Sequence, residues 1–253
     1  MALRQVSEIK NILKEADVSE LPLLIKEFEE DERAGVKSAI ESANKRILKY
    51  EEEMKRVESM CYFEKKYAAF TNICGIDEVG RGPLAGPVMA AAVILPKDLR
   101  IPYINDSKKL TAAKREELYD IISEKAIAIG LGMAGQERID EINILQATYE
   151  AMRDAIHHLK VPADYLLVDA VHIPKVDIPQ AGIIKGDAKS ISIAAASIIA
   201  KVTRDRIMTD YDKVYPEYGF AGNKGYGSAE HIEALKKYGP CPLHRRSFIK
   251  NFI

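Results

Sequence analysis

Apolar positions along the chain change period near residue 70. From Val36 the apolar or small side chains fall at Ile40, Ala43, Ile47, Tyr50, Met54, Val57 and Cys61. These alternating steps of four and three mark one face of a helix. The seam predicts one long helix of a small helical hairpin packing on Leu13, Leu23, Leu24 and Phe28, with an intermolecular coiled coil as the competing reading. The run Glu29, Glu30, Asp31, Glu32 reads as a solvated helix end, and Gly35 as the break before the long helix.

Beyond residue 72, short continuous apolar runs predict strands over 73–79, 87–95, 126–134, 165–169 and 182–185. Helical periodicity occupies 111–125, 137–159, 188–212 and 228–238. The first two strands are joined by a short Gly/Pro loop, which suits antiparallel pairing. The later strands alternate with helices, which suits parallel pairing. The fold class is therefore α/β: a mixed sheet flanked by helices over residues 71–253, preceded by an N-terminal helical extension over 1–70.

Charge narrows the picture only locally. Lys plus Arg (37) nearly balances Asp plus Glu (38), so the bulk charge makes no case for a nucleic-acid partner. The segment after residue 200 does lean basic, through Lys201, Arg204, Arg206, Lys224, Lys236, Lys237, Arg245, Arg246 and Lys250. Three cysteines, Cys61, Cys74 and Cys241, lack CxxC spacing, which points to a reducing compartment and packing roles rather than structural zinc. No basic start precedes an apolar run, and no stretch of about 18 apolar residues occurs, so a cytoplasmic protein with no membrane span is expected.

Chemistry concentrates where apolar strands end in acid. In ICGIDEVGRGPLAGPV, residues 73–88, a buried run delivers Asp77 and Glu78 into a Gly/Pro turn. Uncompensated carboxylates there cost several kcal/mol, and the usual remedies are an arginine, a cluster of backbone amides or a divalent cation. YLLVDAV repeats the pattern with Asp169; if the two strands are parallel neighbours, Asp77 and Asp169 arrive about 5 Å apart at one edge. Asp187 opens a helix, where N-capping competes with ligation. Four carboxylates without His or Cys select hard cations such as Mg²⁺ or Mn²⁺, the donor set of a two-ion phosphoryl hydrolase. A structural calcium site is the plainer alternative, although the spacing is not that of an EF-hand.

GRGPLAGP lacks GxGxxG spacing, and a dinucleotide pyrophosphate would meet the two acids, so a Rossmann site is disfavoured. Glycines around Arg81 instead let bare backbone approach a ligand. In GNKGYGSAEH, Tyr226 stands between glycines, placed for stacking on a sugar or base, and Ser228 is a natural cap. Ser107, Lys108 and Lys109 suit either a phosphate contact or a solvated turn. His157, His158 and His231 read as structural or solvated, His244 as part of a basic surface, and SFIKNFI as a tail buried on its own domain.

Taken together, GIDEVGRGPLAGPVMAAAVILP, DSKKLT, IDEINILQAT, LLVDA, KGDAKSISIAAASIIAKVTRDR, YPEYGF, NKGYGS and HRRSF, in this order over about residues 72–250, resemble the bacterial ribonuclease HII family of type 2 ribonucleases H. The resemblance implies a ribonuclease H-like fold whose C-terminal helical region binds substrate. It implies hydrolysis of RNA in RNA/DNA hybrids and incision 5′ to single ribonucleotides in duplex DNA, leaving 3′-hydroxyl and 5′-phosphate ends. Carried over residue by residue, it places the catalytic and metal-binding acids on Asp77, Glu78, Asp169 and Asp187. The backbone that reads the 2′-hydroxyl falls on Gly80, Arg81 and Gly82, and the sugar-stacking tyrosine on Tyr226. Lys108 and Asn143 lie in motifs similar to substrate-contacting ones. Asn105 and Ala170 depart from the usual acid and glycine of the family pattern. Another nuclease on the same fold, or a non-catalytic nucleic-acid-binding module, are the rival readings. Residues 1–70 carry 13 basic and 15 acidic side chains, a balance that does not favour direct phosphate binding by the extension. No protein partner is legible.

Overall fold

The computed structural model describes residues 4–253 and divides into two compact units, one ending at Glu58 and the other beginning at Ser59. In the first unit, α1 (Val6–Glu15), α2 (Leu21–Phe28) and the long α3 (Ala34–Met60) form three helices where the sequence suggests a hairpin. Ile9, Leu13, Leu21, Phe28, Val36 and Ala43 make its core, with Leu24, Ile40 and Ile47 packed against them. The α3 seam from Val36 to Ile47 is thus spent inside the unit. Leu23 is 77% exposed and takes no part in the core. Gly35 lies within the first turn of α3; the break falls earlier, where Arg33 pairs with Asp31. Arg46 closes the unit by donating to the free carbonyls at the end of α1, those of Leu13, Lys14 and Ala16.

The second unit starts with α4 (Tyr62–Lys66) and holds five strands: β1 (Ile73–Val79), β2 (Val88–Ile94), β3 (Ala128–Ala134), β4 (Tyr165–Asp169) and β5 (Gln180–Ile183). They are ordered β3-β2-β1-β4-β5. The β1–β2 and β2–β3 pairs are antiparallel and the β1–β4 and β4–β5 pairs parallel, the mixed sheet expected from the connections. Every residue of β2 is buried, as are four of five in β4, because helices cover both faces. Each fully buried Ile, Leu or Val contributes about 1.5–3 kcal/mol.

The helices α5 (Ala112–Lys125), α6 (Gln136–His157), α7 (Ile191–Val214), α8 (Phe220–Asn223), α9 (Ala229–Tyr238) and α10 (Arg246–Ile249) complete the unit. The first ten residues of α7 are apolar or small and buried all round, as a central helix requires. It approaches β1 so closely that a Cβ on Gly75 would stand 2.1 Å from the Ser192 backbone. Ser190 caps α7 by accepting from the Ile193 amide, so Asp187, in the preceding 3₁₀ turn, is not the cap. The three cysteines are buried and free, in keeping with packing roles. Among the described residues no helix is long and apolar enough to cross a membrane.

Candidate active site

Sheet register brings the acids together. Ile76 faces Val168 in the last step of the parallel β1–β4 pairing, so the next residues along, Asp77 and Asp169, stand side by side where that pairing ends, while β1 runs on beside β2 to Val79. Asp77 is only 6% exposed. Burial pushes its carboxyl well above the usual range, and the charges of Glu78 and Asp169 push it further; hydrogen bonds from Ser197 and the Glu78 amide act the other way. Glu78 is raised by burial and by Asp169, against the pull of Arg81 and Lys108. Glu78 forms an ion pair with Arg81, at 3.4 Å. Asp169 accepts from the Gly186 amide at 2.6 Å, which ties the end of β4 to the turn carrying Asp187. Asp187 is raised by burial, then by Asp106 and Asp169. Asp169 therefore acts on each of the other three acids.

Asp106 is an acid that reasoning from strand ends missed, because it precedes a short 3₁₀ turn, where it accepts from the Lys108 amide. Ser197 gives no signal in the sequence either, because it lies inside the apolar first half of α7. It sits 2.9 Å from Ser107, and both are buried, so Ser107 serves this polar pair rather than an exposed phosphate.

A groove of about 910 Å³ runs past Asp77 and Glu78. Gly80, Arg81 and Gly82 line it, as do Lys108 and Tyr226. Tyr226 is 41% exposed, so its ring is not part of the core. Gly80 has φ +89°, and a Cβ there would lie 2.3 Å from Arg204, so only glycine fits. Gly82 is different: its Cβ would meet nothing nearer than the Tyr226 ring, at 3.8 Å. Bare backbone and an exposed ring thus face each other across the groove.

Asn143 stands outside the groove lining. It breaks α6 with φ +68°, and its side-chain oxygen accepts from the Leu145 and Gln146 amides, capping the second half of the helix. Its neighbour Ile144 reaches the groove.

Behind the loop lie two arginines that composition suggested would be surface charge. Arg204 and Arg245 are both 0% exposed. Arg204 donates to the carbonyls of Pro87, Lys224 and Ala85. Arg245 donates to those of Gly86, Arg81 and Gly80. His244 is buried as well, against the expectation of a basic surface. Its Nδ1 accepts from the Cys241 amide, so its Nε2–H donates to Nε2 of His231, at 3.1 Å. His231 Nδ1–H in turn donates to the Tyr226 carbonyl, at 2.8 Å. The C-terminal tail packs on its own unit through Phe248, Ile249 and Phe252.

Comparison with known proteins agrees with this geometry. The family model described as Ribonuclease HII matches residues 74–251, and that described as Ribonuclease HII N-terminal domain matches 5–68. The chain is 65% identical over 221 residues to a ribonuclease HII of Lachnoclostridium phytofermentans, covering 87% of each protein. It is 51% identical over 252 residues to one of Clostridioides difficile, covering 99% of each. Among solved structures, ribonuclease H2 of Pyrococcus horikoshii superposes with a TM-score of 0.58 at 28% identity, over 70% of this chain and 93% of the other. With the acid edge and the glycine loop in family order over most of the second unit, the chain belongs to the ribonuclease HII family.

Proposed function

We propose that this protein is a type 2 ribonuclease H of the cytoplasm. It hydrolyses the RNA strand of RNA/DNA hybrids and cuts duplex DNA 5′ to a single ribonucleotide, leaving 3′-hydroxyl and 5′-phosphate ends. The observation that carries this reading is one groove holding both an uncompensated acid cluster and a bare glycine loop opposite Tyr226. Residues 71–253 hold the activity, and residues 1–70 form an accessory extension.

The donor set fits a pair of divalent cations. Asp77, Glu78, Asp169 and Asp187 are hard oxygen donors, and burial plus mutual repulsion leaves them short of positive charge. Among the described residues no three His, Cys, Asp or Glu side chains form a ready-made cage. The acids therefore sit as an electrostatic basin at the strand ends. When bound, Mg²⁺ or Mn²⁺ activates a water nucleophile and offsets charge on the leaving oxygen.

The chain's own groups select the scissile position. Backbone at Gly80, Arg81 and Gly82 approaches the ribose closely enough to sense its 2′-hydroxyl, the group that separates RNA from DNA. Tyr226 stacks on the neighbouring sugar, Lys108 neutralises a phosphate beside the acids, and Asn143 sets the helix end that brings Ile144 to the groove. The test is end-labelled duplex DNA with one internal ribonucleotide, incubated with protein and Mg²⁺ or Mn²⁺. One cut 5′ to the ribonucleotide is expected, absent with Asp77→Asn and with all-DNA duplex. Cutting of a long hybrid alone would remove the roles given to Gly80–Gly82 and Tyr226, and cutting of neither would remove the enzyme reading.

A further inference from the structure

Among the described residues no carboxylate pairs with the buried Arg245, although the charge of Asp140 reaches it. Burial pulls its guanidinium down to about 9, with a further contribution from Arg204, so it stays protonated at neutral pH. Its charge is spent on three main-chain carbonyls: Gly80 at 2.6 Å, Arg81 at 3.0 Å and Gly86 at 2.8 Å. Carbonyl and amide of a trans peptide point in opposite directions. A carbonyl of Gly80 turned inward to Arg245 therefore turns the Arg81 amide outward, and the inward carbonyl of Arg81 does the same for the Gly82 amide. Among the described residues neither amide meets an acceptor, while the neighbouring amides of Leu84 and Ala85 both bond to the Gly225 carbonyl.

We propose that Arg245 is the positioning residue that sets the preference for a 2′-hydroxyl, by holding the Arg81 and Gly82 amides as a preset pair of donors facing the groove. The proposal rests on the reading of this loop as the ribose sensor. The planar guanidinium suits the task because its donors are fixed in a fork, which a lysine ammonium cannot reproduce. A cation on each carbonyl also polarises the peptide and strengthens the amide donor at its other end. Both donors are immobilised before substrate arrives, so their alignment costs nothing on binding.

The test compares affinity for two duplexes, one with a single ribonucleotide and one of DNA alone, in EDTA so that neither is cut. The unsubstituted protein is expected to bind the ribonucleotide duplex more tightly. Arg245→Lys is expected to lower that ratio about fivefold or more, with all-DNA affinity held within about twofold, the scale of one or two lost hydrogen bonds. Ile122→Ala, which loosens the core under α5, is expected to lower the melting temperature and keep the ratio. An unchanged ratio in Arg245→Lys, or an equal loss on both duplexes, overturns the proposal. Should Arg245→Lys fail to fold, the amide protons of Arg81 and Gly82 in the unsubstituted protein decide. A downfield movement with the ribonucleotide duplex alone supports the preset pair, and identical spectra with both duplexes overturn it. If the unsubstituted protein binds both duplexes equally, the ribose-sensing reading falls, and the role of Arg245 with it.

Discussion

The acid edge of the sheet and the loop beside it both carry charge into low-dielectric surroundings, and they treat it in opposite ways. Asp77, Glu78, Asp169 and Asp187 repel one another and are poorly neutralised. Arg204 and Arg245 are more deeply buried, yet each is satisfied by three carbonyls. Charge left unsatisfied marks where something else must bind; charge fully satisfied marks where backbone must not move.

Asp77→Asn tests the first half of that contrast most severely. It should cut the cleavage rate by about 10³-fold or more while duplex affinity persists, the scale of a lost metal ligand. The folded carboxyl is raised above its unfolded value, so it favours the folded state only when protonated and opposes it when ionised near neutrality. The amide should therefore raise the melting temperature at pH 7; a fall would show that the acids hold the fold instead.

Arg204→Met removes a satisfied charge and leaves two buried carbonyls and a half-buried one without their donor, a loss of about 3 kcal/mol in denaturant unfolding. A loss below about 1 kcal/mol would mean that water replaces the guanidinium. Acid sharpens the same point through the histidines behind Tyr226. Burial and His231 hold His244 down to about 4, below its ordinary 6.5. Its share of stability is complete above 6.5 and is lost as pH falls toward 4. Unfolding measured across that window should show a steeper fall for the unsubstituted protein than for His244→Gln.

Gly82→Ala separates loop from scaffold. Its methyl meets only the Tyr226 ring, at 3.8 Å, so stability should stay within about 0.5 kcal/mol while cleavage falls about tenfold through a crowded ribose site. Unchanged cleavage would place the ribose elsewhere. The smallest effect belongs to Ala170, which follows Asp169 with φ +56°. Ala170→Gly should stabilise the turn by roughly 0.5–1 kcal/mol, readable in the denaturation midpoint, because glycine carries no Cβ penalty there.

What the sequence makes legible follows from cost. Acid after an apolar strand is expensive, so Asp77 and Asp169 stand out in one dimension, and strand pairing follows from loop length. Arg204 and Arg245 do not stand out, because their carbonyl partners lie up to 165 residues away and basic side chains ordinarily belong to surfaces, the expectation that also misplaced His244. The same limit explains the caps. Asp187 and Ser190 are both good cap residues three positions apart, and only the backbone turn shows that Ser190 performs the task. Asn143 leaves no trace in an otherwise continuous helical pattern, although its left-handed backbone divides α6.

The clamp has a consequence for how the molecule comes into being. Gly80 and Gly86 leave the ribosome 165 and 159 residues ahead of the arginine that orders them. During synthesis the chain acquires its strand-end acids, then its central helix, and only afterwards the guanidinium that fixes the loop. Such distant closures form late in folding, after loop entropy has been overcome. An immature chain therefore passes through a stage with its acids in place and the loop from Gly80 to Gly86 not yet fixed; on the proposed reading of that loop, discrimination of ribose is the last property acquired.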